Sequence, residues 1–380
     1  MDRSSVLSTR SSTTSTSTTF TIGTAVAAAA SLALAVLVAW AEPVGDESLP
    51  SIEPSPPTQP ASGFGGSDYP FAKVEHEAHG DGAASYWIFR PEGTADACDR
   101  PNTPPVVFLH GWGAMNPMYY GAWIEHLVRR GHVVVYPRYQ ESLRTPPAGM
   151  TAHVVDAVRS ALERLDVDCP WAVIGHSLGG ALAANLAVRA SDAGLGAPIL
   201  LLAVQPGRAL SGMRSPVIEL DDLAALDAAT VLVTVASDAD TVVGDRDARR
   251  IFEGAVNVPA ERKRYVVVRS DRHGSPPLEA GHHAPTAPLD AFDLLDDEPP
   301  RAGNRRGQRL TVARSEARVV DALDYYAFWK LADALIALAL GSSEDIFTTD
   351  NVRMLADMGE WSDGRAVAAL SLHAAPPPSR

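Results

Sequence analysis

The sequence predicts an α/β fold with a mostly parallel central sheet and helices on both of its faces. From Lys73 onward, short runs rich in β-branched residues alternate with longer runs of helical spacing, which is the pattern of repeated strand–helix units. Several short runs are apolar throughout, as in Pro105–His110, and this is typical of strands buried on both faces. Apolar residues make up 46% of the 380 residues and charged residues 21%, which is ordinary for a globular protein with a large core.

The amino end carries a compartment signal. Arg3 and Arg10 precede an uncharged run, Phe20–Ala41, that is rich in Ala, Leu and Val and ends in Ala39-Trp40-Ala41. This order of positive region, apolar region and small residues is typical of a secretory signal peptide, and the apolar run is also nearly long enough to span a bilayer. We therefore interpret residues 1–41 as a signal peptide or amino-terminal membrane anchor. In either case we expect the rest of the chain to be secreted or extracytoplasmic.

The rest of the chain divides into three predicted segments. Residues 42–70 are rich in Pro, Ser and Gly and contain few apolar residues, so we expect a flexible linker. Residues 71–345 are expected to form the main domain, and residues 346–380 a carboxyl-terminal extension. Within the main domain, Gly207–Thr230 is too short to form a separate lid domain, so we expect a minimal lid and an open site.

Each strand and helix of the main domain is predicted from its residue pattern. The first two strands flank Gly80-Asp81-Gly82 and are expected to pair as an antiparallel hairpin. The strands are predicted at 74–78, 85–90, 105–110, 132–136, 171–175, 198–204, 231–235 and 265–269. Helices are predicted at 119–130, 150–165, 178–189 and 317–340, where apolar residues recur at helical intervals.

The charge balance limits the classes of partner. The formal net charge is −14 at pH 7 and the sequence pI is about 5.2. A protein that binds nucleic acid needs a clustered positive surface to neutralise phosphates, and the sequence contains no such cluster. We therefore expect no nucleic-acid partner and favour a neutral or weakly polar substrate.

The most informative motif is Gly175-His176-Ser177-Leu178-Gly179. A predicted strand runs into this motif and a predicted helix leaves it at Leu178. A serine at such a turn needs small neighbours, because strand and helix must approach closely for its hydroxyl to project above the sheet. The helix also directs the positive end of its dipole at the turn, where negative charge would develop in a reaction. Ser177 is therefore the candidate nucleophile of a nucleophile elbow.

The nucleophile motif, continued by Gly180, resembles that of bacterial lipases and esterases of the α/β-hydrolase superfamily. His110-Gly111-Trp112-Gly113 is similar to the His-Gly-x-Gly oxyanion motif of the same families, and the resemblance extends over about residues 73–340. It implies an α/β-hydrolase fold and a Ser-Asp-His catalytic triad that needs neither a metal nor an organic cofactor. It also implies that the backbone N–H groups of Trp112 and Leu178 form the oxyanion hole.

The family order places the acid after the serine and before the histidine. The predicted strand at 231–235 gives way to an acidic turn that contains Asp238 and Asp240. The turn resembles the family's acid loop, in which a β-branched or apolar pair begins two residues after the catalytic Asp. Val242 and Val243 meet this description for Asp240, which we favour, and Asp238 is the alternative acid.

The histidine should follow the strand predicted at 265–269. His273 lies within a few residues of the strand end, where the family's histidine usually stands, so we favour it as the base. His283 is the alternative, because Gly281-His282-His283-Ala284-Pro285 resembles an element of cutinase-like polyester hydrolases, and His282 is the third candidate. The histidines not used as the base are expected to order the loop.

The resemblance implies hydrolysis of carboxylic esters through an acyl-enzyme intermediate. The expected substrates are small-molecule, lipid or polyester esters, and membrane contact is expected only through the amino-terminal segment. A peptidase and a cofactor-free haloperoxidase are the alternative enzymes on this fold. A non-catalytic cell-surface binding module is the alternative without chemistry.

Cys98 and Cys169 are the only cysteines. In the implied fold the strands beginning near Pro105 and Trp171 lie side by side, and each cysteine precedes one of these strands at the edge opposite the site. An even pair in a secreted protein favours a disulfide, so we expect a Cys98–Cys169 bond whose role is stability alone.

Overall fold

Nine strands form one sheet at the centre of the protein in a computed structural model that describes residues 53–94, 97–100, 102–208, 217–294, 319–341 and 345–378. The strands are β1 (Val74–His79), β2 (Tyr86–Pro91), β3 (Val106–Leu109), β4 (Val134–Pro137), β5 (Ala172–His176), β6 (Leu200–Val204), β7 (Val231–Ser237), β8 (Lys263–Val268) and β9 (Ser371–His373). The helices are α1 (Gly121–Arg129), α2 (Met150–Arg164), α3 (Leu178–Arg189), α4 (Arg246–Gly254), α5 (Lys330–Leu340) and α6 (Thr349–Ala356).

The sheet runs in the order β1-β2-β4-β3-β5-β6-β7-β8-β9. The six strands from β4 to β8 in this order pair in parallel. The pairs β1–β2, β2–β4 and β8–β9 are antiparallel. The predicted α/β fold with a mostly parallel sheet is therefore confirmed, together with the hairpin of its first two strands.

Alternating side chains of the strands fill a core on each face of the sheet. In β3, Val106 and Phe108 belong to one core, and Val107 and Leu109 belong to the other. Helices α1 and α5 cover the first core, and helices α2 and α3 cover the second. The continuous apolar runs of the sequence thus mark strands that are buried on both faces, as predicted.

Three elements were not predicted, and each has a weak sequence pattern. Helix α4 contains four charged residues among its first five, and only a narrow stripe including Ile251 and Phe252 is buried. Strand β9 has three residues, too few to show an alternation, and α6 has eight. The predicted helix at 317–340 lies partly outside the described residues. Its described part contains a π-helical turn, Asp324–Trp329, that continues directly into α5.

The segment from residue 53 to residue 70 has no helix or strand, but it makes specific contacts with the main body. The Gly65 N–H donates a hydrogen bond of 2.8 Å to Asp333 Oδ2, and the Tyr69 hydroxyl lies 3.0 Å from His126 Nδ1. The predicted signal peptide or anchor at 1–41 lies outside the described residues. Within the described ranges, no helix has the length and apolar content needed to cross a bilayer.

Cys98 and Cys169 form the predicted disulfide, with their Cα atoms 5.7 Å apart. The bond lies at the amino ends of β3 and β5, which pair in parallel with Val106 opposite Ala172. The carboxyl ends of the same strands lead to the Gly111 and Ser177 turns. A disulfide is consistent with an oxidising compartment outside the cytoplasm.

Candidate active site

Ser177 occupies a sharp turn between β5 and α3. Its backbone has φ 57° and ψ −123°, a combination that is strained for any residue with a side chain. A Cβ on Gly175 would lie 2.2 Å from the Gly179 carbonyl oxygen, and a Cβ on Gly179 would lie 2.2 Å from the Leu109 carbonyl oxygen. Glycine at both positions is therefore required for strand and helix to approach closely enough to hold the serine in this conformation.

The Ser177 side chain begins a line of hydrogen bonds. Ser177 Oγ lies 2.9 Å from His282 Nε2, and His282 Nδ1 lies 2.8 Å from Asp240 Oδ2. All three residues are buried, with 8% of Ser177, 7% of His282 and 8% of Asp240 exposed. A neutral imidazole that donates from Nδ1 to the carboxylate presents an unprotonated Nε2 to the serine hydroxyl, so the geometry suits removal of the Ser177 proton.

Asp240 is held as a carboxylate. Burial alone would raise its pKa, but the hydrogen bond and the electrostatic interaction with His282 outweigh burial, and so the pKa lies below its usual value. The N–H groups of Val242 and Val243 donate to Asp240 Oδ1 over 2.9 and 3.0 Å and add to this effect. The valine pair that identified Asp240 in the sequence thus contributes through its backbone.

The sequence favours His273 as the base, but the structure brings a different histidine to Ser177. His273 Nε2 lies 2.7 Å from Asp363 Oδ2 and its Nδ1 lies 2.9 Å from an Arg365 nitrogen, so its ring is engaged with the carboxyl-terminal residues rather than with Ser177. The alternative base, His283, is exposed and packs its ring edge-on against His282. The histidine that contacts both Ser177 and Asp240 is His282, the third candidate.

A small loop after β8 explains why the histidine nearest the strand end is not at the site. Asp271 and Leu278 exchange two backbone hydrogen bonds of 2.8 Å, which close the intervening residues into a loop and return the chain to the sheet edge. The chain then continues past the acidic turn, where the Ala239 N–H donates to the Ala280 carbonyl. Position 282, rather than 273, therefore faces the nucleophile.

The alternative acid, Asp238, lies beside this loop and does not contact His282. Its Oδ1 accepts hydrogen bonds from the Ser270 N–H at 2.9 Å and from the Ser270 hydroxyl at 2.8 Å. Ser270 Oγ in turn accepts from the Ala280 N–H at 3.0 Å. Asp238 thus orders the chain that leads to His282.

The loop after β3 lies against the nucleophile turn. A Cβ on Gly111 would lie 3.4 Å from Ser177 Cβ. The Gly111 N–H donates to the Tyr120 hydroxyl and the Gly113 N–H donates to Gln140 Oε1, both over 2.9 Å. Among the described residues, no acceptor is found for the N–H of Trp112 or of Leu178. These are the two donors that the sequence resemblance assigns to an oxyanion hole, and they lie on the two turns that meet at Ser177.

Part of the chain matches the model of a known protein family. Residues 104–198 match the family model described as alpha/beta hydrolase fold. The matched segment contains the oxyanion loop, helices α1 and α2 and the nucleophile turn, and the sheet carries the mostly parallel order given above. The chain has the α/β-hydrolase fold. The resemblance to the α/β-hydrolase superfamily predicted from the sequence is thereby confirmed.

Similar solved structures include several esterases. An esterase from Rhizomucor miehei is 17% identical, with a TM-score of 0.41 over 66% of this chain and 85% of its own. Carboxyl esterase 2 from Tuber melanosporum is 15% identical, with a TM-score of 0.44 over 78% of this chain and 93% of its own. A hyperthermophilic esterase from Pyrobaculum calidifontis is 19% identical, with a TM-score of 0.41 over 53% and 75%. No curated protein sequence matches the chain.

Buried polar residues that the sequence pattern does not single out support the turns of this α/β-hydrolase fold. His110 lies with its ring stacked on Tyr139, the ring centroids being 4.1 Å apart, and its nitrogens contact the carbonyl oxygens of Gly111 and Arg138. Burial lowers the pKa of His110 to about 4, so the ring is neutral. Gln205 directly follows β6 and donates to the Gly281 carbonyl over 2.9 Å. The sequence signal that could have identified Gln205 is a glutamine directly after an apolar strand.

Within the described ranges, no three His, Cys, Asp or Glu side chains lie close enough together to ligate a metal ion. The structure instead brings a serine hydroxyl, an imidazole and a carboxylate together at Ser177, His282 and Asp240.

Proposed function

We propose that this protein is a serine hydrolase that cleaves carboxylic esters through an acyl-enzyme intermediate. The observation that carries the proposal is the line of hydrogen bonds from Ser177 Oγ through His282 to Asp240, with distances of 2.9 and 2.8 Å, at a strained turn between strand and helix. A nucleophile, a base in contact with it and a carboxylate that orients the base form the arrangement that activates a serine hydroxyl near neutral pH.

The reaction follows from these contacts. His282 Nε2 takes the Ser177 proton while Oγ attacks the ester carbonyl carbon, and Asp240 stabilises the imidazolium that forms. The carbonyl oxygen becomes an oxyanion that accepts hydrogen bonds from the N–H groups of Trp112 and Leu178. The leaving alcohol takes the proton from His282 as the tetrahedral intermediate collapses to the acyl-enzyme. Water, deprotonated by His282, then releases the acid in the same sequence of steps.

The surroundings of the turn support an apolar acyl group. Leu143 is 39% exposed, and its Cδ2 lies 2.5 Å from where a Cβ on Gly113 would stand, so it packs on the oxyanion loop. An exposed large apolar side chain on the loop that meets the Ser177 turn is suited to contact an acyl chain.

The test uses the full chain and p-nitrophenyl esters of increasing acyl length. We expect turnover, covalent labelling by a fluorophosphonate probe, and a loss of kcat by about 10⁴-fold or more in Ser177→Ala. Parent-like turnover in Ser177→Ala would refute the nucleophile. Labelling without turnover of any ester would refute the substrate class while retaining the serine.

Matched pairs of variants test the base and the acid. We expect His282→Ala to lose both turnover and labelling, whereas His273→Ala keeps kcat because its ring is bonded to Asp363. Asp240→Asn is expected to lower kcat by about 10³- to 10⁴-fold. Asp238→Asn changes only the hydrogen bonds with Ser270, so it should lower kcat far less than Asp240→Asn does. The reverse order in either pair would overturn that assignment.

A further inference from the structure

A buried chain of three hydrogen bonds links the oxyanion loop, the nucleophile turn and the loop of the base. The Gly111 N–H donates to the Tyr120 hydroxyl over 2.9 Å, and that hydroxyl lies 2.7 Å from His176 Nδ1. His176 Nε2 lies 3.0 Å from the carbonyl oxygen of His282. Tyr120 is 1% exposed and His176 is 2% exposed, so water cannot substitute freely for these partners.

The donors and acceptors in this chain allow one arrangement of protons. The Gly111 N–H can only donate, so the Tyr120 oxygen accepts from it and is left with its own proton to give to His176 Nδ1. His176 Nδ1 must therefore lack a proton, and the ring carries its proton on Nε2. The His282 carbonyl oxygen can only accept, and Nε2–H faces it. Each of the three hydrogen bonds then has one donor and one acceptor, and no donor in the chain is left without a partner.

Burial maintains this arrangement. Burial raises the pKa of the Tyr120 hydroxyl, so it keeps its proton. Burial also holds the pKa of His176 well below its ordinary value, and the nearby His282 and His283 act in the same direction, so the ring stays neutral. A neutral ring protonated at Nδ1 would leave the Tyr120 O–H without an acceptor and would turn the lone pair of Nε2 towards the His282 carbonyl oxygen.

We propose that His176 and Tyr120 are positioning residues that hold the backbone of His282 and the Gly111 turn in register with Ser177. This inference rests on the proposed function, because the residue that it positions is the proposed base. His176 directly precedes Ser177, so its bond to the His282 carbonyl fixes the base relative to the nucleophile. The same chain of bonds occupies the Gly111 N–H and so leaves the next N–H, that of Trp112, to face an oxyanion.

Two variants of His176 separate its two hydrogen bonds. Glutamine places its amide nitrogen near the Nε2 position and can still donate to the His282 carbonyl, whereas asparagine places its amide near the Nδ1 position and cannot reach that carbonyl. We expect kcat for a p-nitrophenyl ester to fall by about 10- to 100-fold in His176→Asn, with KM changed by less than about threefold. His176→Gln should recover most of this loss, although both variants leave the ring's volume unfilled.

Further variants control for packing. Tyr120→Phe keeps the ring, which packs 5.0 Å from that of Phe108, and removes only the hydroxyl, so we expect it to lower kcat as well. His132 is the matched control, because it is another buried histidine, 4% exposed, whose Nδ1 contacts the Pro104 carbonyl over 2.8 Å at the other end of β3. His132→Asn should keep kcat even where it lowers the melting temperature. Equal kcat in parent, His176→Asn and Tyr120→Phe would overturn the proposal, as would equal losses in His176→Asn and His176→Gln.

A measurement independent of turnover distinguishes failure of this inference from failure of the proposed function. In protein labelled with ¹⁵N-histidine, the His176 signals are identified by their absence from His176→Gln, and we expect the neutral tautomer protonated at Nε2. Tyr120→Phe should shift these signals. A ring protonated at Nδ1 would overturn the positioning chain even in an active enzyme. A parent that neither hydrolyses esters nor reacts with a fluorophosphonate would refute the proposed function, and the tautomer would still report on the chain.

Discussion

The side-chain amide of Gln205 donates a hydrogen bond of 2.9 Å to the carbonyl oxygen of Gly281, which lies 76 residues further along the chain and directly precedes His282. Gln205 is fully buried and has a φ of 44°, a left-handed conformation that is uncommon for a residue with a side chain. Its backbone N–H is bonded to the Val235 carbonyl over 2.7 Å, so the residue is fixed between β6 and β7. A strained, buried donor aimed at the loop of the proposed base is a feature of a functional site.

The hydrogen bond from Gln205 to Gly281 should contribute to activity. Gln205→Met keeps the length of the side chain and removes the donor, so we expect kcat for an ester to fall by about tenfold because His282 is less well positioned. Gln59→Met is the matched control, since Gln59 Nε2 also donates to a backbone carbonyl, that of Gly65, in the amino-terminal segment. Steady-state kinetics check both variants. Equal kcat in the two would contradict a positioning role for Gln205.

The nucleophile turn could be predicted from the sequence because its constraints are local. Gly175 and Gly179 lie within five residues of one another, and both are needed for the contact between strand and helix. The parallel strands were also recognisable, since a strand buried on both faces is apolar along its whole length. The disulfide followed from the pairing of β3 with β5, which places the residues before the two strands side by side.

The proposed base could not be predicted from the sequence, because the position of His282 depends on contacts between residues that are distant in the chain. The loop between Asp271 and Leu278 places His282 at the site, and His273 within that loop is bonded to Asp363, 90 residues away. A rule that counts residues from the end of β8 finds the nearer histidine. The short strand β9 was missed for a similar reason, because pairing with β8 rather than its own three-residue pattern makes it a strand.

Comparing alanine variants of Gly179 and Gly281 tests the close packing at the Ser177 turn. A Cβ on Gly179 would lie 2.2 Å from the Leu109 carbonyl oxygen and 2.4 Å from that of His110, so Gly179→Ala must separate α3 from β3. We expect a loss of about 1 to 3 kcal/mol in the free energy of unfolding, together with loss of activity. Gly281→Ala is the control for the free energy of unfolding alone, because no atom lies within 4 Å of its added Cβ but its carbonyl belongs to the loop of the proposed base. Chemical denaturation and ester kinetics measure both. Similar behaviour of the two variants would contradict the required close approach.

Removal of the disulfide should lower stability without altering the chemistry. The bond joins residues separated by 71 positions, and the loss of this restraint on the unfolded chain corresponds to about 4 kcal/mol in the chain-entropy description. We expect the double variant Cys98→Ser, Cys169→Ser to unfold at lower denaturant concentration and to keep kcat at 25 °C, because the bond lies at the strand ends opposite Ser177. Reduction of the parent should reproduce the shift. A large loss of kcat in the folded variant would contradict a purely stabilising role.

Asp333 is a buried carboxylate that holds the segment from residue 53 to residue 70 on the main body. Its Oδ2 accepts from the Gly65 N–H at 2.8 Å and lies 3.0 Å from His126 Nε2 and 3.3 Å from Arg130 Nε. Burial alone would raise its pKa, but His126, Arg130 and the Gly65 N–H outweigh burial, and the pKa lies below its usual value. The folded state therefore favours the ionised carboxylate more strongly than the unfolded chain does.

The lowered pKa of Asp333 determines how its contribution to the free energy of unfolding changes with pH. A carboxyl group whose pKa is lower in the folded state contributes its full stability above the unfolded pKa of about 3.9, and the contribution is lost as the pH falls through the folded pKa. We expect Asp333→Asn to lower the free energy of unfolding by about 1 to 3 kcal/mol at pH 7, because a neutral amide oxygen is a weaker acceptor for the Gly65 N–H and for Arg130, which keeps its ion pair with Asp68. The difference in free energy of unfolding between the parent and Asp333→Asn should decrease as the pH falls below about 4.

Urea denaturation from pH 3 to pH 7 measures this difference, and limited proteolysis between residues 53 and 70 reports release of the segment. Asp350→Asn is the control, since Asp350 pairs with Arg353 on the exposed surface of α6, its side chain being 89% accessible, and such a pair contributes little. A difference between parent and Asp333→Asn that stays constant across this range would contradict the lowered pKa. An unchanged rate of cleavage in the segment would contradict its attachment through Gly65, because the carboxylate is then not what holds it to α5.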